Sequence, residues 1–388
     1  MFEKTTLKDW ENLVQKQLKT GDIYAVLQKE NLEGISVKPY YGAGGASLPV
    51  LPKIEESTQL VSYFDENLES EVFAFLLDEN VENLSQKLVF INNKDLAEHI
   101  LVEENNRYIS LVDPIEDIQH AGLDEQLTRE LLAKNFERNI CIDVSLHQNA
   151  GASIVQQLAF ALAKAKELTE KFGSEVLSKL SFRFAVGANY FFEIAKIRAF
   201  KLLFNEFSKE FGLDLWPYIF AETSKRNKSI SDPENNLIRS TLEISAAMIG
   251  GADAVYSHDF RIENAYSLSR EISFKQQIVL AYESIVNVFE DAANGSYYVE
   301  EITRQFAEKT WKLFLDLEAD GGFITAISTG KIQKMVYDQA TEEQRWVAEG
   351  KIKLIGVNLY PAKEATKSIE QLYDSSRIKA VRLAEMFE

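Results

Sequence analysis

Short, near-continuous apolar runs recur along this chain with helix-like stretches between them, and that alternation constrains the fold more than any other feature. The runs are "EVFAFLLD" (71–78), "KLVFIN" (87–92), "RYISLV" (107–112), "ICIDVSL" (140–146), "LSFRFAV" (180–186), "WPYIFAE" (216–222) and "ADAVYS" (252–257). Strands that are apolar at nearly every position suit a parallel sheet covered on both faces. Between them, "SIVQQLAFALAKAKELTEKFG" carries a helical stripe of Ile154, Leu158, Leu162, Ala165, Leu168 and Phe172, with Ser153 placed as an N-cap and Gly173 as a stop. "NYFFEIAKIRAFKLLFNEFSKEFG" and "ENNLIRSTLEISAAMIGG" follow the same rule. Seven strands alternating with helices imply an α/β fold, either an open doubly wound sheet or a (β/α)8 barrel. No GxGxxG follows a strand, which removes the main dinucleotide signature. We read a TIM-type (β/α)8 barrel, its eighth strand expected within the weakly patterned region 113–138.

Three parts are expected. Residues 1–50 read as an arm, 51–262 as the barrel, and 263–388 as a helical extension that ends at the start of a linker. In the arm, Leu7, Trp10, Val14 and Leu18 share one face of a short helix that must dock on something, and they are candidate interface residues. The "GAGG" at Gly42–Gly45 lacks the Walker lysine and reads as a flexible turn. In the extension, "SLSREISFKQQIVLAYESIVNVFED" and "VEEITRQFAEKTWKLFLDLEADGG" each read as one long helix. "KLIGVNLYP" (353–361) reads as a short strand or extended segment, and "SSRIKAVRLAEMFE" as an amphipathic helix.

Composition excludes several functions. The formal charge of −18 argues against a nucleic-acid footprint, which needs clustered Lys and Arg. No apolar run approaches a membrane span, and "MFEKTTLKDW" is too polar for a signal peptide, so neither a membrane nor secretion is expected and the reading is cytoplasmic. The single Cys141 precludes an internal disulfide and a thiolate zinc cluster, and its apolar neighbours make it a buried, inert thiol. The four histidines, His99, His120, His147 and His258, show no metal-ligand spacing, so no metal site is expected. Asp143, Glu193 and Glu222 lie near strand ends and admit a carboxylate-pair hydrolase, although no spacing marks a pair.

"GGADAVYSHDF" begins at Gly250 and breaks from a buried strand into Tyr256, Ser257, His258 and Asp259, where such a strand reaches a loop. It belongs to a set of ordered motifs. "SYYVEEITRQFAEKTWKLFLDLEADGG", "WVAEGKIKLIGVNLY" (Leu359 standing for a lysine), "FAVGANYFFEIAKIRAFKLL", "NNLIRSTLEISAAMIGGADAVYS" and the turn "LHQNAGA" at 146–152 together resemble the methylmalonyl-CoA mutase family from roughly residue 140 to 360.

The resemblance implies a substrate barrel for an acyl-CoA, with adenosylcobalamin supplied by a separate domain carrying Asp-x-His-x-x-Gly. No such segment occurs here. The family's essential histidine falls on Tyr256, which cannot supply imidazole chemistry near neutral pH. The family's Arg-Thr-His-Ser-Gln strand end reads Tyr218, Ile219, Phe220, Ala221 and Glu222. The resemblance therefore leaves no catalytic residue in this chain. It marks His147, Gln148, Asn189, Tyr218, Phe220, Glu222, Tyr256 and His258 as remnants of a substrate site. It also implies a non-catalytic small subunit that binds no cofactor. That subunit would support a catalytic large subunit, which carries adenosylcobalamin and interconverts methylmalonyl-CoA and succinyl-CoA within a heterodimer. Two alternatives stay open: an active acyl-CoA mutase barrel that borrows a cobalamin domain from another chain, and an unrelated barrel hydrolase.

Overall fold

The computed structural model describes residues 5–42, 47–65, 72–81, 84, 86–116, 122–360 and 363–388. Eight parallel strands form one sheet: β1 (Gln59–Tyr63), β2 (Ala74–Leu77), β3 (Leu88–Ile91), β4 (Arg107–Ser110), β5 (Ile140–Asp143), β6 (Leu180–Val186), β7 (Tyr218–Thr223) and β8 (Ala254–Tyr256). Their order is β4-β3-β2-β1-β8-β7-β6-β5. The two end strands meet through Ser110 N–H donating to Arg138 O (2.9 Å) and Cys141 N–H to Val112 O (3.0 Å), which brings the sheet round into a barrel. The expected (β/α)8 class is the one observed.

Strand alternation sorts the apolar side chains into two sets. Val61, Ala74, Leu76, Leu88, Phe90, Ile109, Cys141, Tyr218, Phe220, Ala254 and Tyr256 fill the bore. Their neighbours, such as Phe75, Val89, Ile142, Phe182, Phe184 and Ile219, face outward into the main core. Phe90 packs at 4.9 Å from Phe220 and 6.4 Å from Tyr218, so the bore is a packed core and not a channel.

The outer layer includes α4 (Glu125–Leu132), α5 (Ser145–Ala150), α6 (Ile154–Phe172), α7 (Tyr190–Lys209), α8 (Glu234–Gly250) and α9 (Ser267–Ile278); helices α1 to α3 lie earlier in the chain. α6 starts at the expected Ser153, whose hydroxyl accepts from Gln156 N–H in a capping box, and stops at Gly173. α10 (Tyr297–Ala319) lies across α6 and α7. α11 (Gly322–Ser328) and α12 (Lys331–Ala348) follow.

Four expectations are corrected. The eighth strand is β1, not a segment of 113–138. "QLVSY" is short, with only the adjacent Leu60 and Val61 buried between the polar Gln59 and Ser62, so it lacks the continuous apolar signal of its neighbours. Region 113–138 instead holds a two-residue antiparallel pairing, Ile115–Glu116 with Gly122–Leu123, and α4, capped by Asp124. The long helix expected over 267–291 ends at Ile278 and passes through a π-turn, Val279–Glu283. Residues 353–360 form a tight turn closed by Gly356 N–H to Leu359 O (2.7 Å), not a strand. The C-terminal segment 375–388 is not an amphipathic helix. It runs extended with one 3-10 turn, Leu383–Met386, because docking buries Ile378, Val381, Leu383, Met386 and Phe387 on more than one side.

The arm contains α1 (Leu7–Leu18) and α2 (Ile23–Leu27). α1 is capped by Thr6 and Asp9 but buries none of its residues. Trp10 lies 5.8 Å from the Tyr40 ring, while Leu7 and Leu18 remain 46% and 42% exposed. The arm is then tied to the body: Glu33 accepts from the Ile154 N–H at the start of α6 (2.9 Å), and Gln305 accepts from Ser36 N–H (2.7 Å). Of the "GAGG" turn, only Gly42 is among the described residues.

Candidate functional site at the barrel mouth

The carboxyl ends of the strands carry a cluster that no single motif announces. Tyr218, Phe220 and Glu222 alternate along β7, so all three point into the bore, with Glu222 nearest the mouth. Arg183 on β6 reaches across to it. Its Nε donates to Glu222 Oε2 (2.9 Å), and its Nη1 donates to Oδ1 of Asn92 beyond β3 (2.8 Å). A nitrogen of Arg183 also lies 3.7 Å from Asp143 Oδ2 at the end of β5. The guanidinium covers the Phe220 ring at 5.7 Å. His258 Nε2 lies 3.4 Å from the other oxygen of Glu222, and the His258 N–H donates to Thr223 Oγ1 (2.9 Å). Side chains from β5, β6, β7 and the loops after β3 and β8 thus close the bore.

The electrostatics are those of a locked pair. Burial works against the charge on both Arg183 and Glu222. Their mutual attraction outweighs it, holding the Glu222 carboxyl well below the usual carboxylate range and the guanidinium charged. Burial pushes the His258 imidazole down, against the pull of Glu222. Tyr256 is 6% exposed, edge-on to Tyr63 at 5.4 Å and to His258 at 5.0 Å, and burial pushes its phenol well above the ordinary value.

Beside the plug lies a cavity of about 740 Å³ between the ends of β1, β2 and β8 and helix α9. Tyr63, Tyr256 and His258 form its inner wall, and Ser224, Lys225 and Arg270 are among its outer lining.

The structure brings some expected site residues together and separates others. Glu222, Tyr256 and His258 share the mouth, and Phe220 lies against Arg183 beneath it. Tyr218 is deeper in the bore, its hydroxyl without a hydrogen-bond partner among the described residues. His147 is fully buried beneath α6 and α11, 5.1 Å from Phe160 and 6.2 Å from Phe323, and burial lowers its pKa to about 3. Gln148 accepts from Ser224 Oγ (2.8 Å), and neighbouring Asn149 accepts from Lys225 N–H (2.8 Å), so this turn holds the loop that lines the cavity. Asn189 is exposed at the start of α7 and makes no side-chain cap. Glu193 pairs with Lys196, which donates to Ala185 O (2.6 Å). Burial keeps the Cys141 thiol protonated, as an inert thiol requires. Sequence reasoning missed Arg183, Asn92 and Tyr63. The signal for the first was available: a lone arginine at an inward position of the otherwise apolar "LSFRFAV".

Among the described residues, no group of three or more His, Cys, Asp or Glu side chains stands where it could hold a metal ion, and no helix is long and apolar enough to cross a membrane.

The methylmalonyl-CoA mutase family model matches residues 128–388. The methylmalonyl-CoA mutase of Rhizobium meliloti is 33% identical over 247 residues, covering 60% of this chain and 34% of that protein. The methylmalonyl-CoA mutase small subunit of Porphyromonas gingivalis is 35% identical over 227 residues, covering 55% of this chain and 37% of the relative. The small subunit of Propionibacterium freudenreichii is 30% identical over 238 residues, covering 58% and 37% respectively. The chain thus spans little more than a third of the length of the curated relatives it matches. With the family model matching well over half of it, the chain belongs to the methylmalonyl-CoA mutase family.

Proposed function

We propose that this chain is a non-catalytic small subunit of a methylmalonyl-CoA mutase, supporting a catalytic large subunit that interconverts methylmalonyl-CoA and succinyl-CoA. The observation that carries the reading is the closed bore. A substrate barrel must admit an acyl chain along its axis, whereas here Arg183, Glu222 and Asn92 fill the bore as a hydrogen-bonded cluster with Asp143 3.7 Å from the guanidinium, and the cavity at the mouth is left to one side of them. Tyr256 stands where the family's catalytic histidine is expected. A hydrolase is disfavoured by the same cluster, since each carboxyl of a catalytic pair must reach the substrate and Glu222 is engaged by Arg183 and His258 inside the bore.

The described residues do not fit the family's cobalamin. His99 lies on α3 (Lys94–His99) with Nδ1 2.8 Å from Asp95 O. His147 is sealed in the core, His258 abuts Glu222, and His120 falls outside the described residues. Adenosylcobalamin is accordingly assigned to the partner. The stripe of α1, with Leu7 and Leu18 exposed and Trp10 and Val14 half-buried, serves as a clasp for that partner.

The test mixes this chain with the catalytic subunit of its source organism. A stable complex whose turnover follows the catalytic subunit alone supports the reading. Cobalamin-dependent turnover that requires the barrel of this chain favours the alternative of an active barrel. Spectral titration of the isolated chain with adenosylcobalamin is expected to leave the cofactor's spectrum unchanged.

A further inference from the structure

A second apolar surface lies away from the mouth, at the amino-terminal rim of the barrel. Beyond α9 the chain folds back on itself, with Ser284 N–H donating to Val279 O (3.1 Å) and Val286 N–H to Leu280 O (3.2 Å). Asn287 O then accepts from Lys53 Nζ (2.7 Å) and Thr58 N–H (3.0 Å) at the entry to β1. The Tyr282 ring lies 6.2 Å from Phe73, at the entry to β2. These contacts gather Ile54, Phe73, Tyr282, Ile285, Val288 and Phe289 on one rim, each between 43% and 61% exposed. Ile285 adopts φ +54°, a left-handed conformation that β-branched residues rarely take, with its side chain in solvent.

Six large side chains half exposed leave on the order of 500 Å² of apolar area, near the upper end for a monomer and close to the apolar core of one side of a standard interface. Around it stand Glu56, Glu283 and Glu290, all exposed, with the half-buried Lys53 beneath them drawn to Glu290. A second copy of this chain would bring the same carboxylates and the same net charge of −18 against them. The matching occupant is a different polypeptide, apolar at its centre and basic at its rim.

We propose that this rim, distinct from the arm, is a docking surface for the catalytic partner subunit; the inference rests on the heterodimer reading above. The experiment titrates the catalytic subunit into wild type, into Tyr282→Ser/Phe289→Ser, and into the charge reversal Glu283→Lys/Glu290→Lys, by calorimetry at two salt concentrations. All four positions are exposed, and circular dichroism checks each fold. The serine pair should weaken binding at least about thirtyfold, as expected for a hot-spot aromatic pair, and the charge reversal should weaken it most at low salt. Wild type that binds while both variants bind equally well overturns the surface and leaves the heterodimer standing. Wild type that does not bind at all overturns the heterodimer reading and this surface with it. Light scattering that shows a wild-type homodimer, lost in the serine pair, gives the rim to a second copy and also overturns the proposal.

Discussion

If the ion cluster is what closes the bore, its two halves must depend on each other energetically, and by unequal amounts. Arg183→Met leaves the Glu222 carboxylate 3% exposed with only the imidazole of His258, 3.4 Å away, to face it. Removing one partner of a buried pair costs about 3–5 kcal/mol, because the remaining charge is stranded. Glu222→Gln strands the guanidinium less, since Asn92 still accepts at 2.8 Å and Asp143 remains at 3.7 Å, so about 1–3 kcal/mol is expected. The double variant Arg183→Met/Glu222→Gln has no stranded charge and should return to within roughly 1–2 kcal/mol of wild type, giving a coupling of at least about 2 kcal/mol. Urea unfolding followed by far-UV circular dichroism at pH 7.5 measures all three.

A pH arm sharpens the test. In wild type the folded Glu222 pKa is depressed, so its contribution is fully present above the unfolded carboxylate value and is lost as pH falls toward the folded one. In Arg183→Met the same carboxyl is buried without the guanidinium, so its pKa rises and acidification should recover part of the loss. Additive single effects, or a Glu222→Gln penalty larger than that of Arg183→Met, would refute the view that these groups act as one plug.

Three further outcomes are expected. Tyr256→His should create no mutase activity in a coupled assay with the catalytic subunit's cobalamin domain, because one imidazole leaves Arg183 and Glu222 in the bore; measurable isomerisation would mean the mouth is open to substrate. His147 takes up a proton near pH 6.5 when unfolded but only near pH 3 when folded, so stability should fall as pH drops below 6.5, by about 2 kcal/mol at pH 5. His147→Gln should flatten that part of the pH–stability curve, and an unchanged slope would assign the acid loss elsewhere. Deleting residues 1–30 should weaken binding of the catalytic subunit while leaving the melting temperature nearly unchanged, since among the described residues it removes only one buried side chain, Ile23, and Glu33 stays in place to cap α6; a collapsed melting temperature with pairing intact would make the arm part of the core.

The sequence disclosed the barrel where burial was uniform. "LSFRFAV" and "YIFAET" are covered on both faces, and their composition says so directly. β1 was hidden because "QLVSY" keeps only Leu60 and Val61 fully inside while its polar neighbours face partial solvent, leaving too short a signal. The tail 378–388 was misread for a related reason. Its apolar residues fit a helical face, but the docked chain obtains its hydrogen bonds from the body: Val381 N–H donates to Asn149 O (3.0 Å) and Leu383 N–H to Arg226 O (2.8 Å). Tertiary partners replaced the helical ones, and no local pattern could reveal that. At the site, residues contiguous with a motif, such as Tyr256 and His258, were legible, whereas Asn92 joins them only through barrel closure.

That closure also ties the charged residues of the mouth to one another. A carboxylate at position 222 inside a bore is costly unless a cation faces it, and Arg183 is the cation that does. With the pair in place, position 256 feels both charges, the Glu222 carboxylate more strongly than the guanidinium, and they act on it in opposite directions. Tyr256 stays neutral under both, because burial holds the phenol protonated, and it packs edge-on against Tyr63. Position 222, Arg183 and position 256 are therefore electrostatically linked. If the mouth is closed as proposed, opening it requires removal of the Arg183–Glu222 pair first.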